Sequence, residues 1–352
     1  MSYTNGLDKP SDYFVTKLYT GTGSEQSITG VGFQPDWVWT KSRSNTLNHN
    51  VYDSVRGVNK GLKPNTTDSE FNDAQSLKSF NSDGFTVGTD SHINTSSATF
   101  ASWNWKAGTS FTNDASSTGI GTIDSVGSVN QDAGFSICSY TGTGSAGTIK
   151  HGLNSTPNWI LLKNRIDGSL YWYNYLTVLG NNTELYLNAI DAAPSSTGAW
   201  NTTSPTSSVF SVGSHGGTNA SGQATIAYCF SEKQGYSKFS SYIGNGNADG
   251  TFVYTGFKPA FVMVKNTAIN ENWSMHDQKR NENVSPNFAR LTADDSQAEA
   301  TNTTFAKVEL FSNGFKLGNS ADVINDSGVK FIYMAFAENP FVTSTGVPAT
   351  AR

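Results

Sequence analysis

Apolar and polar residues alternate along this chain in short runs with the period of two that belongs to β-strands, and no helical period is sustained. The first run, FVTKLY, ends at Tyr19, and runs like it end at Tyr140 and Tyr242. Each is followed by Gly-Thr-Gly or Gly-Asn-Gly, where glycine supplies the positive φ of a tight reversal. A second short strand then leads to a proline, which fixes φ, lacks a donor and so belongs before the next strand. That next strand covers 37–41, 159–163 and 261–265, and the last two are almost wholly apolar before their lysine. Such a run predicts a central strand buried on both faces. The closing runs ATFASWNWK, ATIAYCFSE and VKFIYMAFAE are the longest strand patterns in the chain. Segments 68–74 and 294–300, with Asp, Ala and Glu, read as single helical turns.

The series of elements occurs three times. Proline, aromatic and lysine recur at one spacing, as Pro35–Trp37–Lys41, Pro157–Trp159–Lys163 and Pro259–Phe261–Lys265. Glycine-rich turns follow at Ser82, Ser207 and Ser312, and the gap from the turn's phenylalanine to a closing aromatic is nearly constant: Phe85 to Trp105, Phe210 to Phe230, Phe315 to Phe336. Matching landmarks at both ends of segments of about a hundred residues mean three copies of one unit. The expected fold is therefore all-β: three tandem β-sandwich, jelly-roll-like repeats at 14–108, 135–235 and 236–340, with Trp37, Trp159 and Phe261 in their cores. An arm (1–13), a Ser/Thr/Gly-rich linker or docked strand (109–134) and a tail (341–352) complete the plan.

Composition narrows the function. Charged residues are only 14% and the net charge is −5, which argues against a nucleic-acid partner, because phosphate binding needs a basic field. No basic segment followed by an apolar core opens the chain and no long apolar run appears, so neither Sec export nor membrane insertion is expected. Cys138 and Cys229 read as small core thiols.

Several motifs resemble chemistry. GTGSAG, from Gly142 to Gly147, matches a dinucleotide fingerprint, but no helical pattern follows to receive a pyrophosphate. His49, His92, His151, His215 and His276 show no metal-ligand spacing, and Asn247-Ala-Asp249-Gly250 lacks a calcium ladder, so no metal or cofactor is expected. His276 and Asp277 are strand neighbours and point to opposite faces. Asp53 and Asp277 fall at corresponding places in two copies, with Asn174 read as their counterpart; a repeated acid is better explained by structure than by glycoside cleavage. No enzymatic activity is expected.

The aromatic content points to binding. On a strand, Tyr171, Tyr173 and Tyr175 share one face and Trp172 with Asn174 the other, and one face must look away from its own copy's core. Either it packs on a neighbouring copy, or it is a sugar-stacking or protein-binding surface centred on Trp172 and Asn174. Lysine recurs three times in a chain with few charges. Asp53 follows Lys41 by twelve residues and Asp277 follows Lys265 by twelve, which suggests Lys41–Asp53 and Lys265–Asp277 pairs, with Asn174 near Lys163.

The run GFQPDWVWTKSR, the NGFKLG turn, the closing YMAFAENPF and the ending GVPATAR resemble repeats in virion-associated proteins of marine tailed bacteriophages. The resemblance spans all three copies. It implies a structural component of the virion, assembled in the host cytoplasm. A tail fibre or receptor-binding appendage is expected first, with other virion proteins and host-surface polysaccharide as partners, as a homo-oligomer in the particle. A capsid or tail decoration with only protein partners and a polysaccharide depolymerase are the alternatives.

Overall fold

The computed structural model describes residues 6–281, 289–301 and 306–348, and within them the chain is mostly antiparallel sheet. Copy one supplies β1 (Phe14–Thr20), β2 (Gln26–Thr29), β3 (Trp37–Ser42), β4 (Asn50–Asp53), β5 (Lys60–Gly61), β6 (Phe71–Asn72), β7 (Leu77–Asn81), β8 (Gly84–Val87) and β9 (Thr99–Trp105). Residues 109–130 form β10 (Thr109–Asn113) and β11 (Ser125–Asn130). Copy two supplies β12 (Phe135–Thr141), β13 (Gly147–Lys150), β14 (Trp159–Asn164), β15 (Trp172–Leu176), β16 (Leu185–Tyr186), β17 (Val209–Val212) and β18 (Ala224–Phe230). Copy three supplies β19 (Ser237–Ile243), β20 (Phe252–Tyr254), β21 (Phe257–Asn266), β22 (Ser274–Asp277), β23 (Leu291–Thr292), β24 (Val308–Phe311), β25 (Gly314–Leu317) and β26 (Lys330–Pro340).

One strand order recurs. The main sheets run β1-β9-β3-β4, then β12-β18-β14-β15-β16, then β19-β26-β21-β22-β23, so the first and last long strands of a copy are always neighbours. Smaller sheets run β2-β8-β7, β13-β17 and β20-β25-β24. The segment expected as a linker is the hairpin β10–β11, which extends the second main sheet beyond β12. The arm and tail meet, since Asp8 accepts from the Ser344 backbone N–H at 2.7 Å; residues 1–5 and 349–352 lie outside the described residues. Neither 68–74 nor 294–300 is helical. The single-turn helices are α1 (Ser91–Asn94), α2 (Ala115–Thr118), α3 (Gly216–Asn219) and α4 (Asp322–Asn325).

Each main sheet has two apolar faces. One covers the copy's own small sheet through Val38, Tyr52 and Phe85, through Ile160, Leu162 and Phe210, or through Val262, Val264 and Phe315. The other face meets the other two copies in one shared core, which holds Trp37, Trp39, Trp159, Leu161, Phe261 and Met263. Period-two alternation thus sends alternate residues of β3, β14 and β21 into different cores, and every position but Ala260 is buried. Trp37 stands opposite Trp105, Trp159 opposite Phe230 and Phe261 opposite Phe336. These closing aromatics touch in a triangle at the centre, with ring centroids 6.5 Å (Trp105–Phe230), 5.9 Å (Phe230–Phe336) and 5.6 Å (Trp105–Phe336) apart.

The glycine turn after each first strand is clamped by the single-turn helix near the end of its copy. Asn94, Asn219 and Asn325 are fully buried, and each side chain accepts from the turn (Thr22, Thr143 and Asn245 N–H, 2.8–2.9 Å). Each also donates two bonds back to carbonyls: Ser24 and Gly88, Ser145 and Gly213, Asn247 and Asn319. Tyr19, Tyr140 and Tyr242 donate to the carbonyl of the residue just before that asparagine. The first glycine of each turn is needed for close approach: a Cβ on Gly21, Gly142 or Gly244 would lie 2.1–2.3 Å from a carbonyl oxygen. Within GTGSAG this accounts for Gly142; the segment joins β12 to β13 with no helix behind it.

Candidate functional site

The repeated lysines and Trp172 lie at the junctions between copies, and the three junctions follow one plan. Lys163 is the penultimate residue of β14, and its ammonium donates to the carbonyls of Thr67 in copy one (2.7 Å) and Leu170 in its own copy (2.7 Å). Lys41 donates to Ser296 of copy three (3.2 Å) and Ser42 (2.8 Å). Lys265 donates to Ile190 of copy two (2.8 Å) and Glu271 (2.7 Å). Thr67, Ile190 and Ser296 are equivalent positions, so each copy reaches into one neighbour in the same sense and the ring closes. Burial pulls all three ammonium groups down to about 8, which leaves them charged at neutral pH.

A ring N–H repeats the contact one layer away. Trp172 Nε1 donates to the Lys63 carbonyl of copy one (3.0 Å), and Trp273 Nε1 donates to that of Tyr186 in copy two (2.9 Å). His49 holds the same place in copy one, with Nε2 at 2.9 Å from the Thr292 carbonyl of copy three. Its Nδ1 accepts from Trp39 Nε1, so Nε2 carries the proton and donates. Burial pushes the imidazole well below its usual value, which fits this neutral tautomer.

Two junctions carry a buried ionic chain. Arg56 Nε binds Asp53 at 2.5 Å with neither side chain exposed, and Nη1 reaches Glu70 at 3.2 Å. Copy two completes the chain, because Tyr228 donates its hydroxyl to Asp53 (2.7 Å) and Arg165 pairs with Glu70 (2.8 Å). The junction of copies three and one repeats it with Arg280–Asp277 (2.5 Å), Arg280–Glu299 (3.1 Å), Arg43–Glu299 (2.8 Å) and Trp103 Nε1 to Asp277 (3.1 Å). At the junction of copies two and three the equivalent residues are Leu176 for the acid and Leu179 for the arginine. Ala193, Thr267 and Met334 replace the glutamate, the second arginine and the ring donor; Leu176 and Met334 belong to the shared core, and Leu179 and Ala193, partly buried, pack against it. The backbone bond persists there, from the Ala193 N–H to the Thr267 carbonyl, as it does from Glu70 to Arg165 and from Glu299 to Arg43. All five polar partners are absent together, as expected if half of a buried network is worse than none.

Three expectations are corrected. Trp172 and Asn174 are not a surface site: Trp172 is 0% exposed and Asn174 2%, in the shared core and its wall. Tyr173 packs inside copy two; Tyr171 is at the surface but stacks on Tyr186 at 4.4 Å. Asn174 is not the counterpart of Asp53 and Asp277, because the residue opposite Trp159 is Leu176, whereas Asp53 is opposite Trp37 and Asp277 opposite Phe261. Asn174 instead accepts from Trp159 Nε1 (2.8 Å) and donates to Leu185 (3.1 Å). The acids pair with arginine and not with lysine. A double-mutant cycle on Lys265 and Asp277 should be additive to within about 0.5 kcal/mol in urea unfolding, while Asp277 with Arg280 should couple by more than about 1 kcal/mol. Coupling of the lysine pair would contradict the assignment.

Arg56, Arg280, Glu70, Glu299 and the clamp asparagines escape a reading of spacing alone, yet the signal exists: Asp-x-x-Arg occurs at both 53–56 and 277–280, and asparagine follows the turn phenylalanine by nine, nine and ten residues. Among the described residues no group of three or more His, Cys, Asp or Glu side chains is placed to hold a metal ion, and no helix is long and apolar enough to cross a membrane. No curated protein matches the chain. The family described as Domain of unknown function (DUF7483) matches residues 9–340, all three copies together, and the chain belongs to that family.

Proposed function

We propose that the chain is three tandem β-sandwich, jelly-roll-like repeats acting as a non-enzymatic structural protein of a bacteriophage particle. In this reading it is a tail-fibre or receptor-binding appendage that holds host-surface glycan. The observation that carries the reading is the use made of the repeated acids. Asp53 and Asp277 are fully enclosed and committed to Arg56 and Arg280, where a depolymerase would need two carboxyl groups facing one cleft. The buried lysines are likewise committed to carbonyls that tie neighbouring copies together. The buried ionisable chemistry at the junctions therefore serves to join the copies, which suits a particle component that must stay assembled outside the cell. The resemblance of the repeat landmarks to phage virion proteins gives this body its setting.

Immuno-electron microscopy of phage particles from the host that encodes the chain tests it, using antibody raised against the purified protein. Gold at the tail tip is the expected result. Gold over the capsid would replace the appendage with a decoration, and unlabelled particles would remove the virion reading altogether.

A further inference from the structure

The small sheets of copies one and three share one three-stranded order and that of copy two keeps two of the strands, but the faces turned to solvent differ. In copy one the outward residues of β2 are Ser27 and Thr29, with Asn81 across Gly84 on β7. In copy two Thr148 and Lys150 hold the two strand positions. In copy three the same positions are Phe252, Tyr254 and Phe311, with Gly314 between Tyr254 and Phe311. The central glycine is required by the fold in both sheets, since a Cβ would lie 1.9 Å from the Ile28 carbonyl at Gly84 and 2.2 Å from that of Val253 at Gly314. The aromatics are not required, because copy one builds the sheet with Ser, Thr and Asn. Inward-facing Val253, Phe315 and Leu317 already fill the core beneath.

We propose that this outer face of β20-β25-β24 is a platform on which a neutral hexopyranose stacks, which rests on the reading of the chain as a glycan-holding protein. Phe252, Tyr254 and Phe311 are 45%, 58% and 39% exposed, and the rings of Phe252 and Phe311 are 6.1 Å apart and steeply inclined. Together they offer about 280 Å² if an aromatic side chain carries ~200 Å². A stable interface with another molecule of this chain needs about 800 Å² from each side, so the patch has the size of one or two sugar rings and not of a protein partner. The apolar C–H face of a pyranose matches an aromatic floor, and its hydroxyls need polar groups at the rim.

Those groups are present. The ring of Tyr254 lies over Gly256 at the mouth of a groove of about 180 Å³ that is also lined by Glu232, Gln234, Lys238 and Phe341. The charges are paired among themselves, as Lys316–Asp249, Lys307–Glu309 (3.0 Å) and Lys238–Glu232 (3.1 Å). A face whose charges cancel locally favours a neutral ligand over an acidic one.

Saturation-transfer NMR on the full chain, with the methyl glycosides of glucose, galactose and mannose as probes, tests the platform. Transfer to ring C–H protons of at least one glycoside is expected. It should fall at least about fivefold in the variant carrying Phe252→Ser, Tyr254→Thr and Phe311→Asn, which gives copy three the face of copy one and removes the stacking rings. Tyr254→Thr alone should give a smaller loss and keeps the test valid if the triple variant melts early. Equal transfer with and without the three rings, transfer from no hexoside, or ring-dependent dimerisation in sedimentation would overturn the platform. Gel retardation by purified host envelope polysaccharide separates the two readings. Retardation that the triple variant keeps removes the platform and leaves glycan binding in place, whereas a wild-type chain that is not retarded removes both.

Discussion

Arg56→Leu should lower unfolding stability by about 3–5 kcal/mol in a urea titration at neutral pH, the usual result of leaving a buried partner charge uncompensated. The guanidinium is fully enclosed and serves four groups: Asp53, Glu70, the Val51 carbonyl (3.0 Å) and the Tyr228 hydroxyl (3.4 Å). Its loss leaves Asp53 without its guanidinium, with only the Tyr228 hydroxyl and the backbone N–H groups of Val55 (3.1 Å) and residue 56 (2.8 Å) as donors. The protein itself shows how the site can do without charge, because the third junction is Leu176, Leu179, Ala193, Thr267 and Met334. Writing that solution into the first junction means Asp53→Leu, Arg56→Leu, Glu70→Ala, Arg165→Thr and Tyr228→Met together. This fivefold variant should recover most of the loss and lie within about 2 kcal/mol of the wild type, since replacing a whole buried ionic cluster by apolar residues is often near neutral. The single and fivefold variants thus differ in the unusual direction, more changes giving a more stable protein. A fivefold variant as unstable as Arg56→Leu would mean that the third junction depends on other residues and that the equivalence is only one of backbone.

The strands were legible because alternation is a local property, and the repeat was legible because proline, aromatic and lysine keep their spacing. The partner across each face was not. A strand such as WILLK, buried on both sides, has the same pattern whether its second face meets its own copy or another, and here it meets copies about a hundred residues away. Trp172 illustrates the consequence: the face that looks away from the core of copy two looks into copy one. The lysine–aspartate spacing failed for a geometric reason. Asp53 lies opposite Trp37, so Lys41, four residues further along β3, is carried about 13 Å from it along the hairpin. The platform on copy three could have been suspected from Phe252 and Tyr254 alternating with Val253, but only the comparison with Ser27 and Thr29 on an equivalent sheet shows that the fold does not need them.

Lowering the pH from 7 to 5 should cost about 4 kcal/mol of stability, from histidines held neutral inside the fold. His49 and His276 are fully buried, and desolvation pushes both well below the usual imidazole value, helped by Lys41 at the first and by Arg280 and Arg290 at the second. Burial brings His151 down to about 4, against a small opposing pull from the Thr206 carbonyl. A base whose folded value is depressed binds its proton first in the unfolded chain, so stability is complete above about 6.5 and falls as the pH drops below it. Three such groups give a slope of at most about 4 kcal/mol per pH unit. Three groups oppose it, among them Asp36, whose carboxyl burial also raises. Burial lifts the Asp294 carboxyl to about 6, so the folded state takes up that proton first and gains stability as the pH falls below 6. The His92 imidazole is raised by its hydrogen bond to Asp90, in the same sense but at a half-exposed site where solvent screening keeps the gain small. The net proton uptake on unfolding should therefore rise from about one at pH 6.5 to about two by pH 5. Urea titrations at half-unit steps measure it directly. His276→Gln, which keeps a polar group beside Ser274, should remove about one proton from the slope. A stability flat between pH 7 and 5, or a slope unchanged by that substitution, would show that the buried imidazoles protonate without unfolding the core around them.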